Sequence, residues 1–196
     1  MNAIPPSGSA SPQPPRVWVE SLGGPLIVVP VTSLAGWGGC TESGMVMGDP
    51  GAPDDYDRAC QVEGLAGLLA VAGTGTHALV LADEPASTTY LPGHRAFLRW
   101  LAAESEADLI AAAEAVLADP ASEWETCGTW VTDGPAVLMD STTAGNALGV
   151  EFPDGGFPEQ AVVPLPAGTW TVRAVHARPG EGASVGLVRL LPTAGT

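Results

Sequence analysis

The chain has 196 residues, of which 45% are hydrophobic and 15% are charged, enough apolar material for one good-sized domain or two small ones. Its 22 acidic residues outnumber seven basic ones, all arginine, and the formal net charge is -15. Without lysine, the chain cannot easily present the basic face that binds phosphates, so we expect no contact with DNA or RNA. The acid excess favours a basic partner instead.

Cysteine spacing and hydropathy narrow the class further. Cys40, Cys60 and Cys127 have no C-x-x-C spacing, which predicts neither a disulfide framework nor a zinc site. No apolar run reaches the roughly 18 residues that a membrane span needs, and no basic-then-apolar signal pattern opens the chain. We therefore expect a cytoplasmic protein outside the membrane. Residues 1–15, rich in Pro, Ser and Ala, are expected to form a disordered leader.

Short apolar runs divided by Gly and Pro predict strands in the first part of the chain. Residues 16–20 and 26–29 flank Gly23-Gly24-Pro25, which predicts an antiparallel hairpin. The segment at 36–53 is rich in Gly, Asp and Pro, so we predict an exposed loop there and treat it as the first candidate for a binding surface.

A second hairpin is predicted further along. Residues 68–71 and 77–82 are apolar runs on either side of a Gly-Thr-Gly turn at 73–75, and a strand at 88–91 continues the pattern.

The middle of the chain predicts a pair of helices. Phe97, Trp100 and Leu101 recur at helical spacing, and the same spacing returns between residues 109 and 117. A capping pattern at residues 105–108 predicts a break near Glu104 or Ser105. Pro120 is expected to end the second helix.

After residue 122 the pattern returns to short strands. Gly, Pro, Asp and Asn divide the predicted strands, which lie at 130–132, 136–140, 148–152, 162–165, 169–177 and 185–191. The spacing predicts an antiparallel sheet or small sandwich. We expect an α+β fold that is β-rich and antiparallel, with the helix pair in the centre. It forms either two lobes, at 16–122 and 123–196, or one continuous domain.

Several short motifs carry a family resemblance. They are Trp18-Val-Glu20-Ser-Leu-Gly23-Gly24-Pro25, Trp37-Gly-Gly, Asp54-Asp55-Tyr56-Asp57-Arg58-Ala-Cys60, the run from Leu91 to Leu101, and Gly-Thr-Trp-Thr-Val-Arg at 168–173. In this order they resemble the Imm21 family of bacterial immunity proteins, over residues 16–192. The resemblance implies a protein that binds and neutralises a cognate toxin. It supplies no catalytic or contact residues, and the segment at 41–53 is longer than expected for the family.

Acids beside aromatic residues are our candidates for contact with that toxin. They are Glu20, Trp37, Asp54, Asp55, Tyr56 and Asp57. Core packing is the alternative for both Trp37 and Tyr56. Arg58, Arg95 and Arg99 are expected to be structural and to clamp carboxylates of the chain itself.

No catalytic, cofactor or metal motif accompanies these candidates. The three histidines lack metal spacing, no serine lies in a Gly-x-Ser-x-Gly turn, and the Gly-Thr-Gly at 73–75 lacks a P-loop lysine. Asp54, Asp55 and Asp57 lack the register of a calcium loop. The alternatives are a β-rich structural or ligand-binding domain and, last, an enzyme using carboxylates such as Asp83, Glu84 and Asp140.

Overall fold

The computed structural model describes residues 16–44, 46, 52–180 and 182–193. The predicted leader at 1–15 lies outside the described residues, as does most of the segment at 45–51 within the predicted loop. The described residues form eleven strands in two sheets, with two α-helices and two short 3-10 helices. The helices are α1 (Asp55–Cys60) and α2 (Glu106–Ala118), and the 3-10 helices are Val31–Gly36 and Gly145–Ala147.

Every strand pair in both sheets is antiparallel. The six strands of the first sheet are β1 (Trp18–Val19), β5 (Thr88–Leu91), β6 (Ala96–Ala102), β11 (Ser184–Pro192), β10 (Gly168–Ala177) and β7 (Glu125–Thr132), in that spatial order. The five strands of the second sheet are β3 (Gly67–Ala70), β4 (His77–Leu81), β2 (Leu26–Pro30), β8 (Ala136–Asp140) and β9 (Gln160–Val163). The prediction of an antiparallel, β-rich α+β fold is confirmed.

The two sheets pack face to face around the largest core cluster. In β10, Trp170, Val172 and Ala174 point into this core, because alternate side chains of a strand share one face. Phe97 of β6 and Trp130 of β7 lie in the same cluster. The sequence pattern in β10 therefore follows directly from its place in a sandwich.

Each sheet is also covered on its outer face. Helix α2 places Leu109, Ala113 and Val116 on the first sheet, where they form a second cluster with Leu98 and Leu187. The outer face of the second sheet is covered by α1, the two 3-10 helices and their connections, which bury a third cluster. Both sheets are thus buried on two sides, and their central strands are apolar on both faces.

The first of the two predicted central helices is wrong. Residues 96–102 form strand β6, which pairs with β5 and β11. Phe97 enters the core between the sheets and Leu98 packs beneath α2, so apolar side chains point to both faces. Such a run matches helical spacing by chance. Seven residues are too few to distinguish the helical spacing from the alternation of a strand. The second predicted helix is confirmed as α2, with Ser105 at its N-cap.

Two strand predictions also need correction. The hairpin predicted around Gly23-Gly24-Pro25 is wrong, because β1 pairs with β5 in one sheet and β2 pairs with β4 and β8 in the other. This turn carries the chain between the sheets. The strand predicted at 148–152 is wrong as well, since those residues belong to a loop that precedes β9. The hairpin of β3 and β4 is confirmed.

The strands after residue 123 are shared between the two sheets. Strands β7, β10 and β11 join the first sheet beside β6, while β8 and β9 join the second beside β2. Elements from both sides of residue 123 therefore share one core. Among the described residues, neither helix is long and apolar enough to span a lipid bilayer.

Candidate functional site

The acidic turn, which we define as residues 54–57, starts helix α1. The carboxylate of Asp54 accepts a hydrogen bond from the Asp57 backbone N–H, at 2.9 Å, and the Asp57 carboxylate accepts one from the Asp54 N–H, at 3.0 Å. The two residues thus form a capping box that satisfies two backbone donors at the helix start. Asp57 is buried. These two acids therefore have a structural role in the turn.

Asp54 also anchors the preceding loop. Its second carboxylate oxygen accepts the Thr41 backbone N–H at 2.6 Å and the Thr41 hydroxyl at 3.3 Å. Burial raises the pKa of Asp54, but the hydrogen bonds from Asp57 and Thr41 outweigh it, so the pKa lies below its usual value. The ionised form is the one that holds the loop to the helix.

The third acid of the turn, Asp55, is engaged as well. One of its oxygens accepts the Gly38 N–H at 2.8 Å, and the other pairs with Arg58 at 2.7 Å. Arg58 donates a further hydrogen bond to the Ala70 carbonyl, at 3.0 Å. Arg58 therefore ties α1 to the end of β3 and pairs with a carboxylate of the chain itself.

Tyr56 lies against the Gly-Gly-Pro turn and is half-buried. A Cβ on Gly24 would come within 2.4 Å of the Tyr56 ring, so only glycine allows this close approach. A side-chain hydrogen bond with Cys60, together with burial, raises the pKa of Tyr56 to about 12. The ring fixes α1 against the crossover between the sheets. A cleft of about 420 Å³ lies beside Gly24 and Cys60, the residues that contact this ring.

The structure removes Trp37 from the candidate contact residues. Its side chain is 0% exposed and lies in the cluster that covers the second sheet. Its indole N–H donates to the Ser141 carbonyl at 3.1 Å. The core alternative is the one that this geometry supports, because a ring with no exposed area offers none to a partner.

Glu20 is exposed and lies in a different part of the chain from the acidic turn. Its backbone N–H donates to the carboxylate of Glu159, at 2.7 Å. The six candidate residues therefore do not form one patch: the acidic turn, which includes Tyr56, starts α1, Trp37 lies in the core, and Glu20 lies beside Glu159, ahead of β9.

The other two structural arginines contact groups that are not carboxylates. Arg95 lies over the Trp170 ring, with 5.8 Å between its guanidinium carbon and the ring centroid. Arg99 is buried and donates to the carbonyl oxygens of Ala82 and Glu84. Burial lowers the pKa of Arg99 to about 10, while the nearby Asp83 and Glu84 act in the opposite direction.

One mixed cluster of potential metal ligands occurs in the described part of the chain. The ligand atoms of Asp83, Glu84 and His176 lie within 4.8 Å of one another, and His176 Nδ1 is 3.2 Å from Asp83 Oδ2. Burial and the positive charge of Arg99 lower the pKa of His176. Arg99 acts electrostatically on this cluster, but its hydrogen bonds go to the backbone carbonyls of Ala82 and Glu84.

Two of the carboxylates weighed for an enzyme border different clefts. Asp83 borders the cleft beside Cys60, whereas Glu84 and His176 border a different one of about 360 Å³. Asp140 is buried and accepts hydrogen bonds from Leu22 and Thr142. Its role is to hold the turn between β1 and β2.

Comparison with known proteins decides the family. Residues 17–183 match the model described as Imm21, immunity protein 21. The chain belongs to the Imm21 family. No curated protein and no solved structure matches it. Membership in Imm21 implies an immunity protein of a toxin system, with a toxin as partner, and immunity proteins are generally non-catalytic.

A second acidic and aromatic segment of this Imm21 protein lies outside the contact residues predicted from the sequence. We call residues 149–159 the β9 loop, since it leads into β9. It exposes Phe152 and Phe157 and contains Glu151, Asp154 and Glu159. The signal was present, because Pro-Asp-Gly-Gly at 153–156 is a turn pattern, yet Phe152 was assigned to a strand.

Proposed function

We propose that this Imm21 protein neutralises its toxin by stoichiometric occlusion, in the cytoplasm, and that the toxin surface it covers is basic. Family membership across residues 17–183 is the observation that carries the proposal. The net charge of -15 supports a positively charged partner, since opposite charges speed association and disfavour partners of the same sign. The complex turns nothing over.

The contacts of the acidic turn support two different roles for the six candidate residues: some shape the surface and others contact the toxin. Asp54, Asp55 and Asp57 bind backbone groups and Arg58, so they shape the surface around α1. Of the six contact residues predicted from the sequence, Glu20 and the exposed part of Tyr56 face solvent and are available for contact. An interface of ordinary size, about 1,600 Å² in total, needs more area than these residues supply.

The experiment is a titration of toxin activity. The cognate toxin domain, sought first among the neighbouring genes, is mixed with increasing amounts of this protein, and residual activity and complex mass are measured. We expect activity to fall linearly and to vanish at one equivalent, with a 1:1 complex. Loss of activity at a small fraction of an equivalent would instead indicate catalytic inactivation, and no loss at any ratio would refute the immunity role for that toxin.

A salt series tests the basic partner. If opposite charges steer the encounter, the association rate constant should fall at least about tenfold between low salt and about 0.5 M salt, while the dissociation rate changes less. An unrelated protein of similar size and negative charge serves as the control for non-specific attraction. Association that is independent of salt would contradict the proposed charge of the toxin surface.

A further inference from the structure

The β9 loop exposes large apolar side chains at its surface. Phe152 and Phe157 are 46% and 57% exposed, and Val150 is exposed beside them. Phenylalanine is usually among the buried residues of a folded chain, so two exposed rings in one short loop are unusual. Exposed apolar groups that lie together commonly mark a site of protein contact. The loop therefore carries the side chains that an interface would use as anchors.

The loop is held in a defined shape. The Phe152 N–H donates to the Gly156 carbonyl at 2.8 Å, and the Gly155 N–H donates to the Phe152 carbonyl at 2.9 Å, closing a tight turn between the rings. Gly155 and Gly156 have φ of 89° and 86°, which glycine adopts without strain. The Gln160 side chain donates to the Leu148 carbonyl at 3.1 Å and closes the loop base. A preformed loop loses little entropy on binding.

Charge on the loop has one sign. Glu151, Asp154 and Glu159 lie on it, and none of its residues is basic. Glu20 joins this group because its backbone binds Glu159. Among the described residues, no salt bridge neutralises Glu151 or Asp154. Exposed aromatic rings surrounded by unpaired carboxylates are complementary to a surface that offers apolar pockets among lysine and arginine side chains.

Strand β9, which follows the loop, also exposes an apolar side chain. Val162 is 70% exposed, and β9 is the edge strand of the second sheet. A groove of about 680 Å³ runs beside Val162 toward Tyr90 and Leu91 of β5, with Val17 on its border. The groove adds candidate contact area beyond that of the loop.

We propose that the β9 loop is the toxin-docking surface of this protein. Phe152 and Phe157 are its anchors, and Val162 extends the contact. Four carboxylates face basic residues of the toxin: Glu151, Asp154, Glu159 and Glu20. The inference rests on the proposed function and names its surface. A second copy of the chain fits this surface poorly, because a symmetric contact would oppose the same carboxylates. The occupant is therefore a basic protein surface.

The test measures affinity for the same purified toxin domain, by calorimetry or surface binding. The double variant Phe152→Ala/Phe157→Ala should weaken binding by about 100-fold or more, mainly through faster dissociation. The matched control is Val31→Ala/Val131→Ala, since Val31 and Val131 are also exposed and lie outside the loop and β9. The control should bind like the wild type. Both variants should keep the wild-type thermal midpoint.

A second pair of variants tests the acids. Glu151→Gln/Asp154→Asn should slow association and reduce its salt dependence, whereas Glu104→Gln/Glu123→Gln, which removes two exposed acids flanking α2, should change both less. Equal effects of the two pairs would show that net charge alone matters, and would overturn the assignment of the acids.

The outcomes separate the two proposals. Wild-type protein that neither binds nor inhibits the toxin overturns the proposed function and, with it, this surface. Wild-type protein that binds while the folded Phe152→Ala/Phe157→Ala variant binds equally well overturns the surface alone. A size measurement adds one further check: a dimer that the double variant abolishes, with toxin binding unchanged, would assign the loop to self-association and overturn the inference.

Discussion

The acidic turn and the β9 loop contain the same kinds of residue but engage them in different ways. In the acidic turn, the three aspartates bind backbone N–H groups or Arg58, and Tyr56 packs on Gly24. In the β9 loop, Phe152 and Phe157 face solvent and Glu151 and Asp154 form no salt bridge among the described residues. A cluster of acids beside an aromatic ring therefore does not by itself identify a binding surface.

The difference has a simple physical origin. A carboxylate beside a helix start finds unpaired backbone donors within reach, and the helix forms around it. The β9 loop closes on itself through backbone hydrogen bonds at Phe152, Gly155 and Gly156. Among the described residues, Glu151 and Asp154 form no salt bridge, and Glu159 accepts the Glu20 N–H from another segment. Acids of the first kind contribute to folding, and acids of the second kind remain available for a partner. Single substitutions should separate the two.

Loss of an aromatic side chain should show the largest contrast. Trp37→Ala removes a fully buried indole and its hydrogen bond to Ser141, which should lower the free energy of unfolding by about 3–5 kcal/mol. Phe157→Ala removes an exposed ring and should change it by less than about 0.5 kcal/mol. Urea unfolding followed by fluorescence or circular dichroism measures both. Similar losses would mean that the β9 loop is part of the core.

Removal of one aspartate should show an intermediate contrast. Asp54→Ala removes the helix cap and the link to Thr41 and should cost about 1–2 kcal/mol. Asp154→Ala removes the same charge from the β9 loop and should change the free energy of unfolding by less than about 0.5 kcal/mol. Asp54→Asn is the control, because asparagine also caps helices, and it should retain much of the stability. Equal losses at 54 and 154 would attribute the effect to net charge.

Local chemistry explains how far the sequence could predict this fold. Helix α2 follows from its apolar spacing and the Ser105 cap, and the β3–β4 hairpin from its glycine turn. Strand β6 could not be assigned from spacing, because its two faces are buried by different partners, the opposite sheet and α2. The Gly-Gly-Pro turn marks a change of direction, but local residues do not determine which sheet receives the next strand.

Exposure of the aromatic residues was harder to predict than their positions. Trp37 and Phe152 both lie near glycines and acids in the sequence. Trp37 is buried because the two 3-10 helices and the Ser141 carbonyl come together around it, from segments about 100 residues apart. Phe152 has no such cover. Burial of this kind depends on long-range packing, which a single sequence does not encode in any short motif.

The smallest effect concerns the response of the acidic turn to pH. Burial raises the pKa of Asp54, but hydrogen bonds from Asp57 and Thr41 lower it more, so the folded-state pKa lies below that of the unfolded chain. Such a group stabilises the protein fully above its unfolded pKa, near 3.9, and the contribution is lost as pH falls through the folded value. The difference in unfolding free energy between the wild type and Asp54→Asn should therefore be constant from pH 7 to about 5.

Below that range the wild type should lose stability relative to Asp54→Asn, which has no carboxyl group to protonate. Taking the difference between the two proteins cancels the other titrating groups, so the remaining slope reports the acidic turn alone. A difference that stays constant down to pH 2 would mean that the Asp54 carboxylate gains nothing from its hydrogen bonds. The acidic turn would then resemble the β9 loop, and the distinction between folding acids and docking acids would fail at its first residue.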